Sequence, residues 1–298
     1  MQNITIFNRY TNKLEHEAIF GKKFLTFAYC NALGRLTLSA LIKRKFFSIL
    51  YGRYAKSLLS AKQIRPFIER FGIKTDSMEK KVDDFTSFND FFCRKLKPSA
   101  RPISPDPDTI VAPTDGRMLA FESIANTTPF FVKGEQISVE ALAKDSKLAN
   151  KFRNCSMLIS RLCPTDYHFF HFPVDCVPQR TYLIKGEYSS IHPFAMKGRF
   201  ATFLQNKRMS TILKTKSCGE VLMVEVGATC VGSIQQTFTP LQEVLKGTEK
   251  GYFQFGGSTV ILLFERHRVK FSDDLLVNTR DGIETYVLMG DKIATITR

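Results

Sequence analysis

Three short stretches hold the residues that could do chemistry. Phe255-Gly256-Gly257-Ser258-Thr259 places a serine hydroxyl after two glycines and just ahead of the apolar run Val260-Ile261-Leu262-Leu263-Phe264. Paired glycines permit backbone angles closed to other residues, so the hydroxyl can approach a neighbouring carbonyl. Asp166-Tyr167-His168-Phe169-Phe170-His171-Phe172-Pro173 holds two of the five histidines in an aromatic wall. Ala112-Pro113-Thr114-Asp115-Gly116 offers a carboxylate where Asp-Gly marks a tight turn. Asp, His and Ser together are the parts of an activated nucleophile: a base takes the hydroxyl proton and a carboxylate orients the base. Nothing in the spacing of 115, 171 and 258 makes them meet. The fold must do that.

The aromatic flanks, with Pro164 and Pro173 close by, predict a strand through the two histidines rather than a helix. On a strand an offset of three puts His168 and His171 on opposite faces, with different partners and different jobs. The GGST turn does not fit the G-x-S-x-G elbow, which needs a glycine two residues after the serine and a helix beyond. It does not fit a phosphate loop either, because no Lys follows and the next element is a strand.

The chain has 298 residues, 44% of them hydrophobic, enough for a globular fold with a proper core. No run of eighteen apolar residues predicts a spanning helix, and MQNITIFNRYTNKLEHE lacks the pattern of a signal peptide. Forty-three Lys and Arg against 28 Asp and Glu leave a net charge of +15, which calls for an anionic partner. The excess is local. Between Glu17 and Glu69 there is no acid, yet Lys22, Lys23, Arg35, Lys43, Arg44, Lys45, Arg53, Lys56, Lys62 and Arg65 fall there. Leu, Ile, Phe and Tyr recur between them at helical spacing, which predicts amphipathic helices over roughly residues 20–72. Nucleic acid would use the charge but not the large apolar faces, so an anionic membrane surface is the favoured partner. The seven cysteines show no C-x-x-C pair and read as reduced thiols, with no metal site expected.

After about residue 75 the pattern changes. DDFTSFNDFFCRKLKPSARPI predicts a short helix and then a Pro-punctuated loop. From Thr109 onward, runs rich in Val, Ile and aromatic residues alternate with turn residues, which predicts a β-rich region. The expected architecture is α+β: a basic helical region, 1–75, packed on a β-rich catalytic domain, 76–298.

FNDFFCRKLKPSARPI, PTDG, DYHFFHFP, VEVGATCVGSI and KGTEKGYFQFGGSTV occur in this order and at spacings that resemble the phosphatidylserine decarboxylases, in the short bacterial form. The resemblance runs from about Phe85 to Phe264. It implies a proenzyme that cuts itself between Gly257 and Ser258 and converts Ser258 into a covalent pyruvoyl group. Asp115, His171 and Ser258 would be the processing triad, and His168 the residue of decarboxylation. In that chemistry His171 removes the Ser258 proton and the oxygen attacks the Gly257 carbonyl in an N-to-O acyl shift. β-Elimination and hydrolysis then leave a ketone, which condenses with the substrate amine and draws in electrons as carbon dioxide leaves. The resemblance further implies peripheral attachment to the cytoplasmic face of the cell membrane, large and small chains from one precursor, and a homodimer. His192 would line the headgroup pocket, and Phe169 and Phe170 would contact the lipid.

The same residues leave two other readings open. One is a Ser-His-Asp lipid hydrolase that does not cut itself. The other is a basic membrane- or nucleic-acid-binding module without catalysis.

Overall fold

The computed structural model describes residues 4–17, 50, 52–124, 138–187, 201–227, 234–256 and 258–297. Most of the basic stretch (18–49), His192 and Gly257 lie outside them.

The strand Ser258–Phe264, STVILLF, is buried at every position. A run without polar alternation belongs in a sheet covered on both faces. Val260, Leu262 and Phe264 point into one core with Met118, Leu158, Val221 and Phe253. Ile261 and Leu263 point into another with Met157, Ile159, Leu222 and Phe203. Its neighbours, Ser156–Leu162 and Glu220–Gly227, divide their side chains between the same two cores.

These three strands are the middle of a ten-stranded sheet. On one side follow Gly116–Phe121, Glu284–Val287 and an N-terminal hairpin, Thr5–Asn8 with Lys13–His16. On the other lie Arg208–Lys214 and the short strands Val177–Pro178 and Tyr182–Ile184. The pairs are antiparallel except for Thr5–Asn8 beside Glu284–Val287. A three-stranded sheet, Ile234–Gln236, Glu249–Phe253 and Phe169–His171, packs on one face of the large sheet. A third joins Thr109–Val111, Lys292–Ile296 and Val269–Phe271.

The helices Ile64–Phe71 and Phe88–Phe92 form a separate aromatic cluster. Ser87 starts the second by accepting from Asp90 N–H at 3.1 Å. Phe67, Phe85, Phe88, Phe91 and Phe92 meet there, and Phe255 joins them from the turn before Ser258. The α+β, β-rich architecture expected from the sequence is the one observed. The hairpin at 5–16 lies inside the region expected to be helical, 1–75, and instead extends the large sheet, because its short strands carry no clear alternation in the sequence.

Candidate active site

Ser258 opens the central strand, paired with Gly227 on one side and Leu162 on the other. It is completely buried, and its Oγ has no hydrogen-bond partner among the described residues. A buried hydroxyl in that state costs about 1–3 kcal/mol. Two residues before it, Gly256 has a φ of 141°, an angle that a side chain strongly disfavours. Phe255 is fixed from two sides. Its N–H donates to Asn89 Oδ1 at 3.1 Å, and its ring lies 5.3 Å from Phe88 and 5.0 Å from Phe92.

The Ser156–Leu162 strand ends opposite Ser258 and turns directly into the histidine segment. Asp166 closes the turn: its N–H donates to Cys163 O at 2.9 Å, and its Oδ2 accepts from Cys163 N–H at 2.6 Å and from Arg117 Nη1. His168 follows, completely buried. Its Nδ1 sits 2.9 Å from the Asp166 carbonyl oxygen. A carbonyl only accepts, so Nδ1 carries the proton and Nε2 the lone pair. Nε2 has no partner among the described residues. Burial, and then the nearby Arg94 charge, push the His168 pKa down to about 3. The ring is a neutral base.

Along the short strand Phe169–His171 and its flanks, Tyr167 and Phe169 pack with Met289, Phe170 and Phe172 enter the main core, and His168 packs on Phe92. Tyr167 stacks on Phe169 at 5.3 Å, and its hydroxyl donates to His171 Nε2 at 3.2 Å. His171 Nδ1 donates to the Gly247 carbonyl at 2.9 Å. Burial lowers the His171 pKa, partly offset by the Gly247 hydrogen bond and the charges of Glu249 and Asp115. Phe170 is fully buried in the main core, 4.9 Å from Phe253. Phe169 packs between Tyr167 and Tyr252.

Asp115 is 1% exposed. Its Oδ1 accepts from Arg101 Nε at 2.7 Å and from Met289 N–H at 2.9 Å, while Oδ2 accepts from Arg101 Nη2. No hydrogen bond joins its carboxylate to His171 among the described residues. The two segments meet through the backbone, where His171 N–H donates to the Pro113 carbonyl at 2.8 Å. Met289, held by Asp115, packs against Tyr167 and Phe169. Asp115 therefore reaches His171 through its charge and through this packing. A chain of ring contacts, Phe255 to Phe92 to His168, links the turn before Ser258 to the histidine segment.

Four residues of this region were not singled out from sequence. Phe92, Arg94 and Arg101 lie within FNDFFCRKLKPSARPI, where nothing local distinguishes them from a helix face and a loop. Tyr167 reads as one aromatic among many. Only the sheet contacts separate it from its neighbours.

A model of the family described as phosphatidylserine decarboxylase matches residues 88–295. A phosphatidylserine decarboxylase proenzyme of Clostridium botulinum (strain Alaska E43 / Type E3) is 42% identical over 98% of this chain and 99% of its own. One of Chlamydia pneumoniae is 44% identical over 100% and 99%, and one of Ruminiclostridium cellulolyticum is 44% identical over 97% of both. Among solved structures, glucose permease IIA from Mycoplasma capricolum aligns with 62% of this chain and 93% of its own at 14% identity, with a TM-score of 0.29 that carries no argument. Motif order, the matched family model and relatives of the same length agree: the chain belongs to the phosphatidylserine decarboxylase family and is an enzyme.

Proposed function

We propose that this enzyme converts phosphatidylserine to phosphatidylethanolamine and carbon dioxide at an anionic membrane surface, after cutting itself between Gly257 and Ser258. The observation that carries the reading is the Ser258 hydroxyl, fully buried and without a partner among the described residues, two residues after Gly256 at φ 141°. A hydrolase nucleophile must be open to a separate substrate. A completely buried hydroxyl suits attack on the peptide bond next to it.

In this reading His171 takes the Ser258 proton on Nε2, with Tyr167 OH giving way, while Nδ1–H stays on the Gly247 carbonyl. The Asp115 charge favours the imidazolium that results. The site also fits a pyruvoyl group at position 258. The hydroxyl that would be lost makes no hydrogen bond among the described residues, and the neutral His168 Nε2 is a free, buried base. That group supplies a carbonyl that draws in the electrons left when carbon dioxide departs. His168 handles the proton at the carbon. Its Nδ1–H bond to Asp166 O fixes the tautomer that leaves Nε2 available.

The acid-free basic stretch between Glu17 and Glu69 would hold the enzyme on the membrane, while the hairpin at 5–16, inside the expected 1–75 region, belongs to the large sheet of the catalytic domain. No helix among the described residues is long and apolar enough to cross one. Leu58 and Leu59 are 77% and 69% exposed, and Lys56, Lys62 and Arg65 stand close by in sequence. That pattern suits shallow insertion beside anionic headgroups.

Intact mass spectrometry of the purified protein tests the central step. Wild type should give pieces of 257 and 41 residues, the smaller with a ketone in place of its N-terminal amine, and Ser258→Ala should stay whole. His171→Ala should also stay whole, whereas His168→Ala should be cut and yet fail to release carbon dioxide from phosphatidylserine. A normal pair of pieces from Ser258→Ala would end the self-cleavage assignment.

A further inference from the structure

Among the described residues, five buried side-chain polar atoms lack a hydrogen-bond partner: Ser258 Oγ, Thr259 Oγ1, His168 Nε2, Arg94 Nη1 and Arg117 Nε. Three of them belong to side chains that meet at Asp166. Ser258 and Thr259 are the strand start, Arg117 binds Asp166, and His168 and Arg94 both donate to the Asp166 carbonyl. Unpaired buried polar atoms are rare in a folded chain and mark where a ligand completes the hydrogen bonding.

Two of them belong to cations, and Arg94 stands out because Arg117 is paired with the Asp166 carboxylate whereas the Arg94 guanidinium is held by backbone carbonyls. Its Nη2 donates to Thr165 O at 2.6 Å and to Asp166 O at 3.0 Å. The Asp166 oxygen also takes the His168 Nδ1 proton at 2.9 Å, so guanidinium and imidazole are neighbours on one acceptor. Phe92, two residues before Arg94, stacks on the imidazole. The guanidinium lies over the Phe91 ring at 5.0 Å and is 4% exposed. Half of the fork is thus fixed by the turn that carries His168, and the other half, Nη1, is unused.

We propose that Arg94 Nη1 receives a phosphodiester oxygen of the lipid headgroup, and so sets the preference for a phosphate-bearing amine. This rests on the phosphatidylserine reading above. The substrate offers two anions, and the reaction distinguishes them. The carboxylate loses its charge as carbon dioxide leaves, so a cation beside it would stabilise the starting state more than the transition state. The phosphodiester keeps its charge throughout, so a cation beside it helps both states and holds the amine in place. A guanidinium, weakly hydrated and forked, is suited to a desolvated phosphate. Phe255 covers this corner through Phe92, and cutting the chain at Ser258 would free the segment that carries it.

The test uses the mature wild-type enzyme and two amines, ethanolamine and glycerophosphoethanolamine, each trapped on the 41-residue piece with cyanoborohydride and read by mass. Wild type should capture the phosphate-bearing amine at concentrations on the order of tenfold to a hundredfold lower. Arg94→Gln should lose capture of glycerophosphoethanolamine by a far larger factor than capture of ethanolamine, so that the preference disappears, and Arg94→Lys should fall between. Equal capture of both amines by wild type would overturn the proposal without any variant. So would a preference that survives in Arg94→Gln, or a parallel loss of both adducts there, which would mean that Arg94 only supports the His168 turn. No adduct with either amine on wild type would instead remove the ketone reading, and this inference with it.

Discussion

The ring of Phe92 lies on the imidazole of His168, centroids 3.8 Å apart and planes 37° from parallel. This contact links the aromatic helix cluster to the histidine strand and keeps water from the ring. Only one imidazole nitrogen is satisfied, by the Asp166 carbonyl, and the other faces no donor among the described residues. The result is a base whose pKa, about 3, keeps it unprotonated at any physiological pH.

His168 should therefore make the fold sensitive to acid. Unfolded, the imidazole takes a proton below about pH 6.5. Folded, it stays neutral until about pH 3. Stability is at its full value above the unfolded pKa and falls as pH drops toward the folded one, by about 1.4 kcal/mol per pH unit through that window. His168→Gln, made in the uncut Ser258→Ala chain so that unfolding concerns one polypeptide, should show a shallower slope. Urea midpoints at pH 7, 6, 5 and 4 give the comparison. Parallel slopes for the two chains would mean that the ring is hydrated and not held neutral.

A second expectation concerns the residue after Asp115. A Cβ on Gly116 would lie 2.5 Å from Ser160 Oγ and 2.9 Å from the Arg161 carbonyl oxygen. Ser160 Oγ is committed to Thr114 Oγ1 at 2.7 Å, and the backbone oxygen cannot move without parting two strands. Gly116→Ala should cost about 1–3 kcal/mol as an overpacked site. It should also slow self-cleavage, because the displaced turn carries both Asp115 and the Pro113 oxygen that holds His171. Melting temperature and a time course of cutting read the two effects separately. An alanine variant equal to wild type in both would show that the turn is looser than its contacts imply.

Much of the architecture was legible because burial on two faces leaves a plain trace. STVILLF, bounded by a glycine turn, reads as a buried strand and is one, and the two histidines of DYHFFHFP, expected to have different partners, do: His168 meets Asp166 and Phe92, His171 meets Tyr167 and Gly247. The partners of those residues were not legible. Arg101 meets Asp115 across 14 positions, and Met289 meets it across 174, because sheet closure rather than local pattern sets those distances. Glu17, the last acid before the basic stretch, reads as a solvated charge. It is instead buried against Arg161 and Arg117, which hold its carboxyl well below the usual range although burial alone would raise it. A single charge in a sequence gives no sign of whether a counter-charge waits a hundred residues away.

The third expectation concerns Lys250 and Glu225, both completely buried, whose side chains meet at 2.9 Å. Lys250 Nζ also donates to Gln236 Oε1 at 2.7 Å and Thr211 Oγ1 at 3.1 Å, and Glu225 accepts from Gln236 Nε2 at 2.9 Å. Lys250 belongs to the strand that pairs with Phe169–His171, and Glu225 to the strand that pairs with Ser258. The ion pair thus ties the sheet bearing His171 to the sheet bearing Ser258. Lys250→Met would leave Glu225 a buried carboxylate without its cation, a loss of about 3–5 kcal/mol. Changing both residues to Met removes the unpaired charge, and Thr211 keeps a partner in Thr181 at 2.9 Å. The double variant of the uncut Ser258→Ala chain should therefore be more stable than Lys250→Met alone, recovering most of the loss in a urea titration. With Ser258 restored, the single variant should cut more slowly than wild type and the double variant at an intermediate rate, since packing replaces the polar tie only in part. Losses that simply add, with the double variant the least stable, would show that the two side chains are held by their surroundings and not by each other.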